Sequence, residues 1–183
     1  DVPSASDLAL YDLTIWSAPL DAPGVIGAGD VISSHLSSGG NLLLTGQDIG
    51  YWDSGINGLT YHPYYQHFLK AATLADNAGQ ASVIGLPDEL LEGLALPMNG
   101  PDSAKNQVLP DLIDVVEPMD AGLIATYEGV GGAALQASGC QSYRAVYLAA
   151  GLEGLGDGQS RAEVMDRTLT WLDSPRPAVE SRL

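Results

Sequence analysis

The run Asn41-Leu-Leu-Leu-Thr-Gly46 constrains this chain more than any other stretch. Three consecutive leucines bounded by turn residues show none of the in-and-out alternation of a strand with one wet face. A strand of this kind is covered on both faces, as in the middle of a parallel sheet. Ahead of it, Leu13 to Trp16 is a short β-rich apolar run closed by Pro19, and it reads as a second buried parallel strand. Between the two, Val31, Ile32, His35 and Leu36 share one helical face, and Gly39-Gly40 supplies a left-handed stop. The spacing predicts a helix over 28–38 and a right-handed strand–helix–strand crossover.

After Gly46 the chain turns rich in glycine, aromatic and polar residues up to a helix predicted near Pro63, where proline suits the first turn. Ligands of open α/β sheets bind beyond the carboxyl ends of the strands, so this stretch is the predicted rim of any site. From about Gln80 to Thr126 short apolar runs alternate with Gly, Pro, Asn and Asp, which predicts short, partly antiparallel strands. A hairpin with its turn near Ser138 to Gln141 follows, its second strand at Arg144 to Ala149. A last helix is predicted from about Gln159 to Leu172, with Val164, Met165, Leu169 and Leu172 at helical spacing. Residues 1–173 read as one α/β domain and 174–183 as a flexible tail.

Charge sets the partners. With 23 acidic against 7 basic residues the formal net charge is −16, which repels nucleic acid and anionic membrane surfaces alike. No apolar run reaches the roughly 18 residues of a membrane span, so membrane insertion is not expected. The first residue is Asp1 and no leader pattern opens the chain, which reads as a fragment or a processed product. The single Cys140 closes no intrachain bridge.

The blocks YDLTIW (11–16), GGNLLLTGQDIG (39–50), NGPDSAKNQVLPDLID (99–114), YRAVYLAAGLEGL (143–155) and RAEVMDRTLTWL (161–172) follow one another in an order that resembles the class I glutamine amidotransferase-like, flavodoxin-like fold. More narrowly, the order resembles modules of large secreted bacterial proteins that stand beside subtilisin-like or immune-inhibitor-A-like proteases. That resemblance implies a three-layer α/β sandwich with a mostly parallel central sheet and short antiparallel additions. It also implies an extracellular or cell-surface setting and neighbouring domains of the same polypeptide as partners. Catalytic members carry a cysteine on the sharp turn after a central strand and a histidine after a later one. Here those turns read Gly46-Gln47-Asp48 and Gly151-Leu152-Glu153. Neither the thiol nor its base is present, so a non-catalytic accessory or interaction domain is expected.

The residues themselves leave an alternative. Asp48, Asp53 and Glu153 fall on loops predicted at strand ends, and two carboxylates roughly 5 to 10 Å apart can hydrolyse a glycoside. A hydrolase using Asp48 and Glu153 on a carbohydrate or peptide is that alternative. Gln47, Asp48, Tyr51, Trp52, Asp53, Tyr61 and Glu153 form the predicted binding rim, with Tyr64 and Tyr65 completing the aromatic cluster. The ordinary reading of the same residues is turn capping and loop packing. Asn99, Asp102 and Asp111 offer oxygen ligands for calcium, without the alternating acidic loop of a dedicated site. No other cofactor is expected. His62 and His67 are five apart, which does not suit a metal pair on one helix face.

Overall fold

The computed structural model describes residues 2–18, 21–58, 60–138 and 142–175. Cys140 and the tip of the predicted hairpin lie outside them, as does the tail beyond Pro175. A short helix α1 (Ala5–Leu8) opens the fold, closed by a reciprocal cap in which Ser4 and Asp7 bind each other's backbone amides. Strand β1 (Leu13–Ser17), helix α2 (Gly29–Ser37) and strand β2 (Asn41–Thr45) then form the predicted crossover, with β1 and β2 parallel and in register from Leu13–Asn41 to Ser17–Thr45. Helix α3 (Ile49–Asp53) follows the glycine turn. Near Pro63 a single π-helical turn, Tyr64–Phe68, stands where a regular helix was expected.

The rest is dominated by strands: β3 (Ala71–Ala75), β4 (Val83–Gly85), β5 (Ala95–Leu96), β6 (Leu112–Val115), β7 (Ala121–Tyr127), β8 (Gly131–Ala137) and β9 (Ala145–Leu148). A 3-10 turn (Leu152–Gly154) leads into the long helix α4 (Gly158–Asp173). All nine strands join one sheet in the order β1-β2-β9-β8-β7-β4-β5, with β6 also on β8 and β3 on β6. Among the described residues eight strand pairings form, and only β1–β2 and β2–β9 are parallel.

This corrects the expectation of a mostly parallel three-layer sandwich of the amidotransferase-like or flavodoxin-like kind. The sheet is mixed and curls into a half-barrel, with few helices. The physical reason lies in the later part of the chain, where connections such as those between β6 and β7 and between β7 and β8 are too short to hold a crossover helix, so β7 and β8 pair antiparallel. The sheet branches at β8: β7 and β9 flank it, and β6 joins it at Gly132. A Cβ on Gly132 would stand 2.2 Å from the Ile113 carbonyl oxygen, so only glycine lets β6 come this close.

The parallel corner behaves as the leucine run requires. Leu42 and Leu44 point into a cluster with Ile32, Leu36, Ile49, Tyr64, Tyr65 and Tyr147 beneath α2 and α3. Leu43 points the other way, into a cluster with Ile124, Val146, Leu148, Val164 and Leu172 beneath α4. All three leucines are fully buried, each contributing roughly 2 kcal/mol of apolar transfer. This doubly covered corner fixes the end of β2, and with it the turn that follows.

Candidate functional site

The turn from β2 into α3 has a geometry set by two glycines. Gly46 passes so near the Ala18 carbonyl oxygen that a Cβ would stand 2.2 Å from it. At Gly50 a Cβ would stand 2.3 Å from Thr73 Oγ1 and 2.7 Å from the Tyr65 hydroxyl. Between them Asp48 sits at the tip with φ 60° and ψ 2°, in the left-handed region that aspartate tolerates better than most residues. Strand, sharp turn with a left-handed tip, then helix is the shape that presents a nucleophile in many hydrolases. Here the tip side chain is a carboxylate.

Asp48 is half-buried, and its carboxyl is pushed up to about 6, chiefly by burial, then by repulsion from and hydrogen bonding with Asp76. Asp76 follows the last residue of β3, and its Oδ1 is buried without a hydrogen-bond partner. Asp111, ahead of β6, lies beneath the same turn and is fully buried. Its carboxylate accepts the amides of Gly50 at 2.7 Å and Tyr51 at 3.1 Å, and the Tyr147 hydroxyl at 3.4 Å. Burial drives the Asp111 carboxyl well above the carboxylate range, and the two amides draw it partly back. The amides at the start of α3, which elsewhere would meet an anionic intermediate, are therefore occupied by the protein's own carboxylate.

Gln47 is also buried and acts as a clamp. Its Oε1 accepts the amides of Val108 at 2.6 Å and Leu109 at 3.0 Å, while its Nε2 donates to the Asn106 carbonyl at 2.8 Å. Glu153 belongs to a second brace. Its Oε1 accepts from Asn106 Nδ2 at 2.9 Å and Gln107 Nε2 at 3.1 Å, and Gln107 Oε1 takes the Gly151 amide at 2.7 Å. The carboxylate that acts on Asp48 is thus Asp76, and Glu153 serves the loop from Asn99 to Leu109.

The remaining rim residues divide by depth. Tyr51 and Trp52 are half-buried and meet edge to face at 5.1 Å, and Tyr61 is exposed. Tyr64 and Tyr65 are fully buried core residues. Asp53 is fully buried too, because it falls on the inner face of α3, where its Oδ2 accepts the Gly24 amide at 2.8 Å and the Tyr64 hydroxyl at 2.5 Å.

The three calcium candidates hold separate posts. Asn99 binds both polar groups of the Gln107 backbone, Asp102 caps α4 through the Gly158 amide at 2.8 Å and pairs with Arg161 at 3.3 Å, and Asp111 stands under α3. Among the described residues no group of three or more His, Cys, Asp or Glu side chains is placed to hold a metal ion. His35 Nε2 donates to the Asn41 carbonyl at 3.0 Å, and His67 stacks edge-on against Phe68. No helix among the described residues is long and apolar enough to cross a membrane. A groove of about 430 Å³ runs between the edge strand β1 and α4, lined by Ile15, Ser17, Thr45, Leu152 and Met165 with Glu153 and Arg161 at its polar side. Asp48 does not line it.

Asp76 and Gln107 escape a sequence reading. An acid after a β-rich run, as in Thr-Leu-Ala-Asp76, is a faint pointer to a strand-end carboxylate, and nothing local marks Gln107.

Asp48 also sets a pH dependence. Its folded pKa is raised from 3.8 to about 6, so its contribution to stability is complete below the unfolded value and is lost as pH rises through about 6. Asp48→Asn removes that loss and keeps a residue suited to the left-handed tip. After discounting for partial exposure, the variant should gain about 1 kcal/mol at neutral pH and show a flatter melting temperature between about pH 4 and pH 7. An unchanged pH slope would contradict the assignment.

No protein-family model matches the chain, and no curated protein does. Solved structures do match in fold. A β-galactosidase, Gan42B, superposes with a TM-score of 0.59 at 19% identity over 94% of this chain and 23% of its own. A cold-adapted β-galactosidase from Rahnella sp. R3 gives 0.53 at 22% identity over 91% of this chain and 23% of its own. The cytoplasmic protein STM3548 from Salmonella typhimurium gives 0.59 at 12% identity over 94% of this chain and 76% of its own. The chain spans about a quarter of the two β-galactosidase chains, and at these identities the likeness is one of fold.

Proposed function

We propose that this chain is a non-catalytic accessory or interaction domain that works within a larger polypeptide, with the neighbouring domains of that polypeptide as its partners. The observation that carries this reading is the occupied turn. Asp48 stands at the tip where a nucleophile would be presented, and the helix-start amides behind it already hold Asp111. Such a site binds its own side chains where an acyl-transfer site must leave donors free. Two of the fold matches lend a second support, since a region of similar fold occupies about a quarter of each β-galactosidase chain. Fold alone assigns no chemistry.

The test is to express this domain apart from the remainder of the polypeptide that carries it and to measure their association by calorimetry. The reading expects saturable binding in the micromolar range or tighter. Absence of binding, together with a remainder that folds and works normally alone, would refute it.

One observation favours a second reading, a hydrolase acting on a carbohydrate or peptide. A carboxyl near 6 is suited to proton transfer around neutrality. The carboxylate that faces Asp48 is Asp76, hydrogen-bonded to it, while Glu153, the partner expected from the sequence, is engaged by Asn106 and Gln107.

A further inference from the structure

A buried pair away from the turn has an incomplete set of hydrogen bonds. Asp53 is fully buried, and while its Oδ2 is held by the Gly24 amide and the Tyr64 hydroxyl, its Oδ1 has no partner. The nearest complementary group is His62 Nε2 at 3.9 Å, which is itself buried and has no hydrogen-bond partner. Two orphaned buried groups facing each other are costly unless a proton joins them. The backbone already ties the residues together, since the His62 amide donates to the Asp53 carbonyl at 2.9 Å. The gap is about 1 Å beyond the length of a charge-assisted bond.

The ring is seated by the segment 22–29. A Cβ on Gly24 would stand 2.1 Å from His62 Cδ2, and one on Gly29 would stand 2.9 Å from Nδ1. This segment closes its own turns, with Ile26, Gly27 and Ala28 amides bound to the Ala22, Gly24 and Pro23 carbonyls. Its described side-chain tie to α3 is the bond from the Gly24 amide to Asp53. It displays Val25 and Ile26, both exposed. The Asp53 carboxylate thus faces the ring through Oδ1 and holds Gly24 of the segment through Oδ2, so a bond to the ring acts on both.

We infer that His62 and Asp53 form an acid-closed latch: a proton on His62 draws its ring onto the Asp53 carboxylate and tightens the segment 22–29 against α3, and loss of that proton loosens it. Tyr64 faces the pair from the π-helical turn and donates to Oδ2, and burial holds the Asp53 carboxyl above its ordinary value against the pull of Tyr64, the Gly24 amide and His62. Behind it Tyr65 and Asp111 act on Tyr64. The segment 22–29 itself contains no ionisable side chain, and the two acids that flank it, Asp21 and Asp30, are exposed.

The test is backbone amide exchange at Gly24 in the 183-residue protein, corrected for intrinsic rates, between about pH 8 and pH 5, alongside an NMR titration of the His62 ring. A charge-assisted bond predicts that protection at Gly24 rises about tenfold on acidification, with the same midpoint as the ring. In His62→Gln, which keeps a polar side chain but does not titrate, the rise is absent. An equal rise in His62→Gln, or a Gly24 profile that ignores the ring's titration in the wild type, would overturn the latch. Should His62→Gln fail to fold, the comparison of the two wild-type midpoints decides alone. None of these outcomes depends on whether the domain binds its neighbours.

Discussion

Asp111→Ala is expected to lower the free energy of unfolding by about 4 kcal/mol, measured by urea denaturation. The substitution strips three buried donors of their acceptor at once: the amides of Gly50 and Tyr51 and the Tyr147 hydroxyl. Each orphaned donor costs on the order of 1–3 kcal/mol, and water enters poorly beneath a turn packed by Tyr65 and Tyr147. Asp111→Asn keeps one carbonyl acceptor and should lose only about half as much. The pH dependence has a definite sign. Burial raises the folded pKa of Asp111, so its contribution is complete in acid and declines as pH rises through that value. The penalty of the alanine variant is therefore greatest in acid and shrinks toward alkaline pH. A loss below about 1 kcal/mol would mean that the carboxylate is not what closes the start of α3.

Gly50→Ala is expected to cost about 3 kcal/mol, against the usual preference for alanine in a helix. Its Cβ would meet Thr73 Oγ1 at 2.3 Å, the Tyr65 hydroxyl at 2.7 Å and Asp111 Cγ at 3.1 Å, and the first two are bound to each other at 2.8 Å. The methyl must break that bond or push α3 off the Asp111 carboxylate. Adding Thr73→Ala clears the nearest atom, so the double variant should recover about 1 kcal/mol relative to additivity. Gly122→Ala serves as the control, since nothing lies within 4 Å of a Cβ there, and it should stay within about 0.5 kcal/mol of the wild type. Equal effects at Gly50 and Gly122 would show that the turn relaxes around a methyl.

These positions show where sequence reasoning reached and where it stopped. The leucine run announced a strand covered on both faces, and Leu42, Leu43 and Leu44 lie as that reading required. The crossover from β1 through α2 to β2, the strand β9 and the helix α4 were legible from local pattern, but β1, read as buried, is a half-exposed edge strand with Ile15 in the open. The sheet as a whole was not. Parallel character was extended from β1, β2 and β9 to strands whose partners are chosen by long-range pairing, and the contact that joins β6 to β8, Gly132 against Ile113, leaves no trace in a hydrophobic pattern. Tyr64 and Tyr65 looked like members of an aromatic rim because their composition matches one, but Pro63 starts a π-helical turn that delivers both to the core.

The turn after β2 lies where Gly46 follows the apolar run. What could not be read was the loyalty of each carboxylate: Asp111 to the helix start, Asp53 to the segment at Gly24, Glu153 to Asn106 and Gln107. Such pairings join residues 29 to 61 positions apart. Only the folded chain selects among so many acids.

Whether the turn is catalytic is decided by turnover of the purified chain on chromogenic glycosides and a peptide library, with Asp48→Asn measured beside it. Neither protein is expected to exceed the uncatalysed rate, while the variant shows its altered pH dependence of stability. Turnover that the wild type sustains and Asp48→Asn abolishes would contradict the non-catalytic reading, and would establish the carboxylate at the tip of the turn as a catalytic group.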